Sequence, residues 1–159
     1  MTRLVKTRAL TAEAFAPFGD VLEATGTPDR IINQGLCGRW HDRAGLDFGP
    51  DGRAGISIFL AEPRTLPYRL EMIERHPEGS QAFLPMHAHP FLVIVAEGPD
   101  TEPRAFLTNG AQGINLAKGT WHGVLTPLHA PGLFAVVDRI GGTPNLEEHW
   151  YEEPWGIES

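Results

Sequence analysis

Residues 74–85 read Glu-Arg-His-Pro-Glu-Gly-Ser-Gln-Ala-Phe-Leu-Pro, and residues 118–122 read Lys-Gly-Thr-Trp-His. The first stretch brings Glu74, His76 and Gln81 close together in the chain, and the second ends on His122. Carboxylate, imidazole and amide groups are ligands that divalent metals commonly use in proteins. The two stretches therefore predict a pocket at the mouth of a small β-barrel, where side chains from two separate strands meet.

The first stretch continues a run with the two-residue period of a β-strand. The apolar residues that share the parity of Glu74 and His76 are Leu66, Tyr68, Leu70 and Met72. Alternate side chains of a strand point to the same face, so all six are expected on one side of a sheet. A carboxylate on an apolar face is rare unless it is paired or bound to a metal. Two interpretations are open here, a metal site or a polar Glu74–His76 pair without metal.

The composition predicts one β-rich domain over residues 1–159. The chain has 159 residues, of which 42% are hydrophobic, and this is enough to form one buried core. It contains 18 glycines and 14 prolines, which favour many short strands joined by turns. We therefore expect a mainly β fold of the sandwich or barrel kind.

The charge and the cysteine content of the chain exclude several classes of protein. The formal net charge is -7, and no cluster of lysine and arginine is present, so we expect neither nucleic acid nor an anionic membrane as partner. The chain has no signal-peptide pattern and no apolar run of the roughly 18 residues that a spanning helix needs. Its single cysteine, Cys37, cannot form an internal disulfide. These features predict a cytoplasmic protein.

Local signals predict one short helix followed by a series of strands. Thr11 is a candidate N-cap for a helix that ends near Phe15, because Pro17 follows. Strands are predicted at 18–23, 31–36, 54–61, 66–76, 81–84, 91–96, 104–108, 113–116, 121–125 and 133–140. The acidic segment 147–153 carries aromatic residues, and both a docked and a frayed carboxyl end are open for it.

Further motifs accompany these two stretches along nearly the whole chain. They are Glu-Ala-Phe at 13–15, Phe-Gly-Asp-Val at 18–21, Ile-Asn-Gln-Gly at 32–35, Trp-His-Asp at 40–42, Arg-Ala-Phe-Leu-Thr-Asn-Gly at 104–110 and Val-Asp-Arg at 137–139. Together with residues 74–85 and 119–122, they resemble the ureidoglycolate lyase family of the cupin superfamily. The resemblance implies an all-β, double-stranded β-helix of the cupin jelly-roll type with a short N-terminal helix, and it implies a homodimer.

The resemblance also implies an activity and a set of site residues. The activity is the cleavage of ureidoglycolate to glyoxylate and urea in allantoin and purine degradation. Cupins hold a metal with side chains from two motifs, which here implies Glu74, His76, Gln81 and His122 as ligands, with Glu74 at the place of a histidine. A divalent Ni, Mn, Zn or Fe ion suits such ligands, and the sequence does not select among them. Glu74, His76 and His122 are the expected catalytic residues, with Glu74 or His122 as the base.

Four residues are candidates for binding the substrate. Gln81 belongs to the proposed ligand set, while Lys118 and Arg139 carry charges that suit the substrate carboxylate. Asn33 is a candidate partner of the ureido group. The alternatives are a solvated loop lysine, a surface ion pair of Arg139, and an asparagine that only serves a turn. Adjacent strand residues point to opposite faces, so at most one of Asp138 and Arg139 is expected in the pocket.

A second histidine motif competes with the first. His87-Ala88-His89 is a His-x-His sequence, but no carboxylate follows it until Glu97. Pro85 and Pro90 flank it, which is typical of a turn between strands. We expect these two histidines to lie in a loop outside the pocket.

Two other classes of function are open on the sequence. One is a cupin enzyme with a different reaction on small acids, such as an isomerase or a dioxygenase. The other is a non-catalytic cupin that binds a small ligand and leaves it unchanged. A fold alone excludes neither of them.

Overall fold

The structure, a computed structural model, describes residues 3–159, and these form mostly β-strands. The strands are β1 (Arg3–Ala9), β2 (Gly19–Leu22), β3 (Arg30–Ile32), β4 (Cys37–Arg39), β5 (Arg53–Ala61), β6 (Tyr68–Arg75), β7 (Gln81–Pro85), β8 (Phe91–Ala96), β9 (Arg104–Leu107), β10 (Gly113–Leu116), β11 (Trp121–His122), β12 (Thr126–Pro127), β13 (Gly132–Ile140) and β14 (Glu147–Glu158). One α-helix, α1 (Ala12–Phe15), follows β1. The predicted mainly β fold is confirmed.

Two large sheets build the molecule. The larger one has the strand order β11-β6-β14-β1-β9-β8-β12, and a further pairing of β11 with β8 closes it into a ring. Strand β1 pairs in parallel with β14 and with β9, whereas β6, β8 and β11 pair in antiparallel fashion. The second sheet has the order β2-β10-β7-β13-β5. This closed β-barrel confirms the predicted cupin-type architecture.

Strand β8 is buried on both of its faces and connects the two parts of the core. Phe91, Val93 and Val95 belong to a cluster that also holds Phe106 and Phe134. The alternate residues of β8 belong to the second cluster, which also holds Leu70, Ile73 and Ile157; they are Leu92, Ile94 and Ala96. A strand that is covered on both faces has a continuous apolar sequence. This run gives the predicted bounds of 91–96, which are correct.

Helix α1 closes one end of this core. The backbone N–H of Ala14 donates to the Thr11 hydroxyl at 3.2 Å, so Thr11 is the N-cap that the sequence predicts. Phe15 is fully buried, with its ring centroid 5.8 Å from that of Phe106. Across residues 3–159, no helix has both the length and the apolar character needed to cross a membrane.

Several of the predicted strands are wrong or incomplete. Residues 31–36 are not one strand, because β3 ends at Ile32 and Asn33 and Gln34 adopt positive φ values of 54° and 59° in the turn before β4. Residues 121–125 are divided between β11 and a loop before β12. Strands β1 and β14 are missing from the prediction, because their parallel pairing joins opposite ends of the chain and local patterns do not reveal it.

Candidate active site

Glu74, His76 and His122 meet where the ring of strands closes. Glu74 of β6 and His122 of β11 are direct partners in an antiparallel pair, so their side chains lie on the same face. His76 follows β6 by one residue, and its backbone carbonyl accepts a hydrogen bond from Gly119 at 2.9 Å. One ligand atom from each of the three side chains lies within 4.8 Å of the others.

Both histidines use one ring nitrogen for a backbone contact and leave the other without a partner. His76 Nδ1 lies 2.8 Å from the carbonyl oxygen of Asn145, and His122 Nδ1 lies 2.8 Å from that of Gly123. A carbonyl oxygen only accepts, so each Nδ1 carries a proton, and in the neutral form of either ring the lone pair is on Nε2. The two Nε2 atoms are buried and have no hydrogen-bond partner. This tautomer is the one found in metal-ligating histidines whose Nδ1–H is held by a carbonyl.

Gln81 is oriented by Asp138. The two residues are partners across β7 and β13, and Gln81 Nε2 donates to Asp138 Oδ2 at 3.1 Å. A carboxylate only accepts, so this contact fixes the orientation of the amide. The Gln81 Oε1 atom is buried without a partner, which makes it available to a ligand. Of the adjacent pair Asp138 and Arg139, the first therefore belongs to the site.

These polar groups line a pocket of about 670 Å³. The lining residues are Phe59, Leu60, Ala61, Arg64, Glu74, His76, Gln81, Phe83, His122, Val124, Leu125, Asp138 and Leu146. Another cavity, of about 550 Å³, lies beside Arg3 and Trp155 and contains none of the clustered ligand atoms. Because Glu74, His76 and His122 converge in the pocket of about 670 Å³, we place the candidate site there.

Burial shifts the pKa values of two groups in the site. It lowers the pKa of His122 to about 4, with the hydrogen bond to Gly123 opposing this shift and His76 adding to it. Burial also raises the pKa of Glu74, although the charge of His76 opposes that rise; Glu148, its neighbour on β14, adds to it. His122 is thus a neutral base, and Glu74 holds a proton more readily than an exposed glutamate does.

The donor set fits a divalent metal ion. Two imidazole Nε2 lone pairs and one carboxylate converge, and the free Gln81 Oε1 lies in the same pocket. Buried polar atoms without partners are costly, and a bound ion would satisfy them. The alternative of a hydrogen-bonded Glu74–His76 pair does not match the geometry, because one ring nitrogen of His76 bonds to Asn145 and the other has no partner.

Three residues that the sequence proposes for substrate binding do not line the pocket. Lys118 Nζ lies 3.2 Å from Asp47 Oδ2, and Asn33 is exposed in the turn between β3 and β4. Arg139 Nε donates to the carbonyl oxygen of Phe48 at 3.0 Å. A Cβ at Gly79 would lie 2.8 Å from Arg139, so this side chain packs closely on the backbone of the loop before β7. The proposed contacts of these three residues with substrate stay predictions.

His87 and His89 lie in the connection between β7 and β8, and neither lines the pocket. The backbone N–H of His89 donates to His87 Nδ1 at 3.1 Å, and the two rings stack with centroids 5.8 Å apart. His89 also lies 5.1 Å from the ring of His129. These contacts account for the His-x-His motif as a loop structure, which agrees with the placement expected from the flanking prolines.

Two polar residues of the pocket were not fixed by the sequence. Sequence reasoning left the direction of Asp138 open, because apolar residues occur at both parities of β13. It did not consider Arg64, which reaches the pocket from the connection between β5 and β6. No local pattern marks Arg64, and only the arrangement of strands that are distant in the chain brings it to the site.

Comparisons with known proteins give a consistent result. The family model described as ureidoglycolate lyase matches residues 2–158. A ureidoglycolate lyase of Rhodobacter capsulatus is 59% identical over 94% of this chain and 94% of its own length. Ureidoglycolate lyase 2 of Rhizobium meliloti is 47% identical over 95% of both chains. A ureidoglycolate lyase of Pseudomonas aeruginosa is 46% identical over 95% of this chain and 92% of its own.

The shifted pKa of His122 leads to a pH-dependence prediction for the metal-free protein. We expect its ring to stay neutral until the pH approaches about 4. The unfolded chain, with an ordinary pKa of about 6.5, then binds more protons than the folded protein between these values. The free energy of unfolding should therefore fall as the pH falls through this window.

An NMR titration of the histidine rings measures this directly, and His122→Gln identifies the resonance. The same variant should lose part of the pH dependence of unfolding in urea. A His122 ring that titrates near pH 6.5 would contradict the buried, neutral assignment.

Proposed function

The chain belongs to the ureidoglycolate lyase family, and from that premise we propose that it cleaves ureidoglycolate to glyoxylate and urea in the pocket of Glu74, His76 and His122. The observation that carries this proposal is the convergence of the three side chains, with two buried imidazole nitrogens left free. The protein is a lyase, since its relatives at 59% and 47% identity are named so and the family model covers nearly all of it.

The chemistry of ureidoglycolate sets the requirements. One carbon carries a carboxylate, a hydroxyl group and a ureido nitrogen. The hydroxyl oxygen loses its proton and forms the carbonyl of glyoxylate, while the carbon–nitrogen bond breaks. Its electron pair goes to the nitrogen, which takes up a proton and leaves as urea. No water is consumed. The two proton transfers need a base and an acid, and the substrate carboxylate needs a binding partner.

The residues of the pocket meet the first two requirements. His122 is neutral and has a free Nε2, and the Glu74 carboxylate lies in the same cluster, so either can take the hydroxyl proton. The raised pKa of Glu74 also suits it to return a proton to the leaving nitrogen. Gln81, held by Asp138, offers Oε1 as an acceptor for an N–H of the ureido group.

Glu74, His76, His122 and Gln81 are also the residues that would hold a divalent ion such as Ni, Mn, Zn or Fe. If His122 Nε2 binds the ion, that atom cannot take the hydroxyl proton, and Glu74 is the base. Such an ion, when bound, supplies Lewis acidity that lowers the pKa of a hydroxyl group. His76, like His122, has its Nδ1–H held by a backbone carbonyl, so its Nε2 is the atom that would bind such an ion.

We also propose the context in which this activity works. The expected role is in the degradation of allantoin and purines. We expect one domain over residues 1–159 and a location in the cytoplasm. The family match over residues 2–158 supports one domain, and the exposed free thiol of Cys37 supports a reducing compartment. The net charge of -7 supports a small-molecule substrate without nucleic acid or membrane partners.

A second copy of the chain is the proposed partner for the outer face of the second sheet. Ile56, Ile58 and Leu60 of the edge strand β5 are 75%, 60% and 73% exposed. The register places further apolar residues beside them on the same face, namely Leu133, Ala135 and Val137 of β13 and Leu84 of β7.

This apolar face favours a homodimer for two reasons. A contiguous apolar patch without charged residues is typical of protein interfaces, and an unpaired edge strand is normally protected. The chain carries a net charge of -7, so two copies repel each other least where they meet through an uncharged surface. Leu60 also lines the pocket, so the second copy would lie beside the site.

The activity prediction tests the site and the reaction together. We expect the protein to release urea and glyoxylate in equal amounts from ureidoglycolate. His76→Ala or His122→Ala should lower turnover by at least about 100-fold, as the loss of a general acid–base group does. The matched control is His89→Ala, which changes a histidine outside the pocket and should leave turnover unchanged.

Assays of urea, ammonia and glyoxylate measure these outcomes. Turnover measured with a chelator, and again after addition of single metal ions, shows whether the reaction depends on a bound ion. Ammonia as the first nitrogen product would indicate an amidohydrolase instead of a lyase. Unchanged rates in both histidine variants would rule out the proposed site even if the reaction were observed.

The dimer prediction uses one charged substitution on the outer face. Ile58→Asp places a carboxylate in the proposed interface, where burial of an unpaired charge is unfavourable, and should convert a dimer into a monomer. Leu36→Asp is the control, because Leu36 is 87% exposed on the hairpin of β3 and β4. Sedimentation velocity measures the mass of each; a monomeric wild type, or a dimer that survives Ile58→Asp, would contradict this interface.

A further inference from the structure

The substrate carboxylate favours positive charge in the pocket, and apart from the histidines and a bound ion its lining offers one cationic side chain. Ureidoglycolate is an anion, whereas Glu74 and Asp138 add acidic groups to the pocket. Among the described residues that line it, Arg64 is the sole arginine or lysine. Without a cation, a carboxylate would enter a cavity whose own acidic groups repel it.

Two other cations near the site are already engaged. Lys118 Nζ lies 3.2 Å from the carboxylate of Asp47. Arg139 donates to the carbonyl of Phe48 and to the hydroxyl of Thr143, each at 3.0 Å. Binding of substrate by either residue would require these contacts to break, and neither residue lines the pocket.

Arg64 has a fixed backbone and an uncommitted guanidinium group. Its backbone N–H donates to the carbonyl oxygen of Pro127 at 2.8 Å, which anchors the connection between β5 and β6. The guanidinium carbon lies 5.7 Å from the ring centroid of Tyr68, a distance at which the ring face attracts a cation. In the part of the chain that the structure describes, the ion pairs involve other arginines and Lys118.

We propose that Arg64 binds the carboxylate of the substrate and thereby selects 2-hydroxy acids over neutral molecules of the same shape. A guanidinium group forms two parallel hydrogen bonds with a carboxylate, so it fixes the orientation as well as the charge. With its carboxylate at Arg64, the substrate would occupy the same pocket as Glu74, His76 and His122. This role of Arg64 rests on the proposed function, but it can be tested separately.

Two small probes divide the substrate into its halves. Glycolate keeps the carboxylate and the hydroxyl group, whereas hydroxymethylurea keeps the hydroxyl and ureido groups and lacks the carboxylate. Arg64→Gln should weaken the binding of glycolate by about tenfold or more and leave that of hydroxymethylurea unchanged. Isothermal titration calorimetry or competitive inhibition measures both. A purely structural role of Arg64 would affect the two probes alike.

The kinetic test compares the wild type with Arg64→Gln, Arg64→Lys and Arg69→Gln. Arg69 is exposed on β6 and pairs with Glu71 at 3.0 Å, so its variant is the matched control. Arg64→Gln should raise the KM for ureidoglycolate by about tenfold or more with little change in kcat, since the charge holds the carboxylate in both ground and transition states. Arg64→Lys should raise the KM less than Arg64→Gln does, because lysine keeps the charge but cannot form two parallel hydrogen bonds with the carboxylate.

The outcomes separate this inference from the proposed function. An unchanged KM in Arg64→Gln, or an equal loss of affinity for glycolate and hydroxymethylurea, would overturn the role of Arg64 while the lyase activity stands. If the wild type does not cleave ureidoglycolate, the proposed function fails, and the glycolate titration still decides whether Arg64 binds carboxylates. Glycolate binding that is equal in the wild type and Arg64→Gln would overturn it in that case too.

Discussion

The pairing of β11 with both β6 and β8 is the constraint on which the site depends. Strand β11 has only two residues, yet its two pairings close the larger sheet into a ring. The same pairing sets His122 opposite Glu74, so barrel closure and assembly of the site are one structural event. His76 joins them because its carbonyl receives the Gly119 N–H, which ties the turn before β11 to the end of β6. A shift of β11 by one residue would direct His122 away from the pocket.

The site is held together against an energetic cost. It contains buried polar atoms without partners, namely Nε2 of both histidines and Oε1 of Gln81, and burial disfavours the charged forms of His122 and Glu74. The surrounding core offsets this cost, since β8 is buried on both faces and α1 inserts Phe15 between aromatic rings. Fixed polar groups that lack partners in the free protein are what a substrate or a metal ion can bind without first displacing other contacts.

The sequence predicts the parts of this structure that depend on local patterns. The period-2 run to Glu74, the apolar run of β8 and the N-cap at Thr11 each follow from neighbouring residues, and the ordered motifs identify the family. The remaining features depend on contacts between distant segments. Arg64 lies in a loop between β5 and β6 that a backbone hydrogen bond ties to Pro127 of β12, and the register of β13 with β7 sets Asp138 beside Gln81. Arg139 follows the family motif, but its packing on Gly79 directs it to the loop at Phe48.

We propose that Glu74 and His122 act together on one bond-breaking step. A double-mutant cycle with Glu74→Gln, His122→Asn and the combined variant tests this coupling, with single-turnover release of urea as the measurement. Since both residues serve the same step, as proton-transfer groups or as ion ligands, we expect the double variant to lose little more activity than the more damaging single substitution. Losses in free energy of activation that add fully in the double variant would show that the two residues act independently and would contradict this proposal.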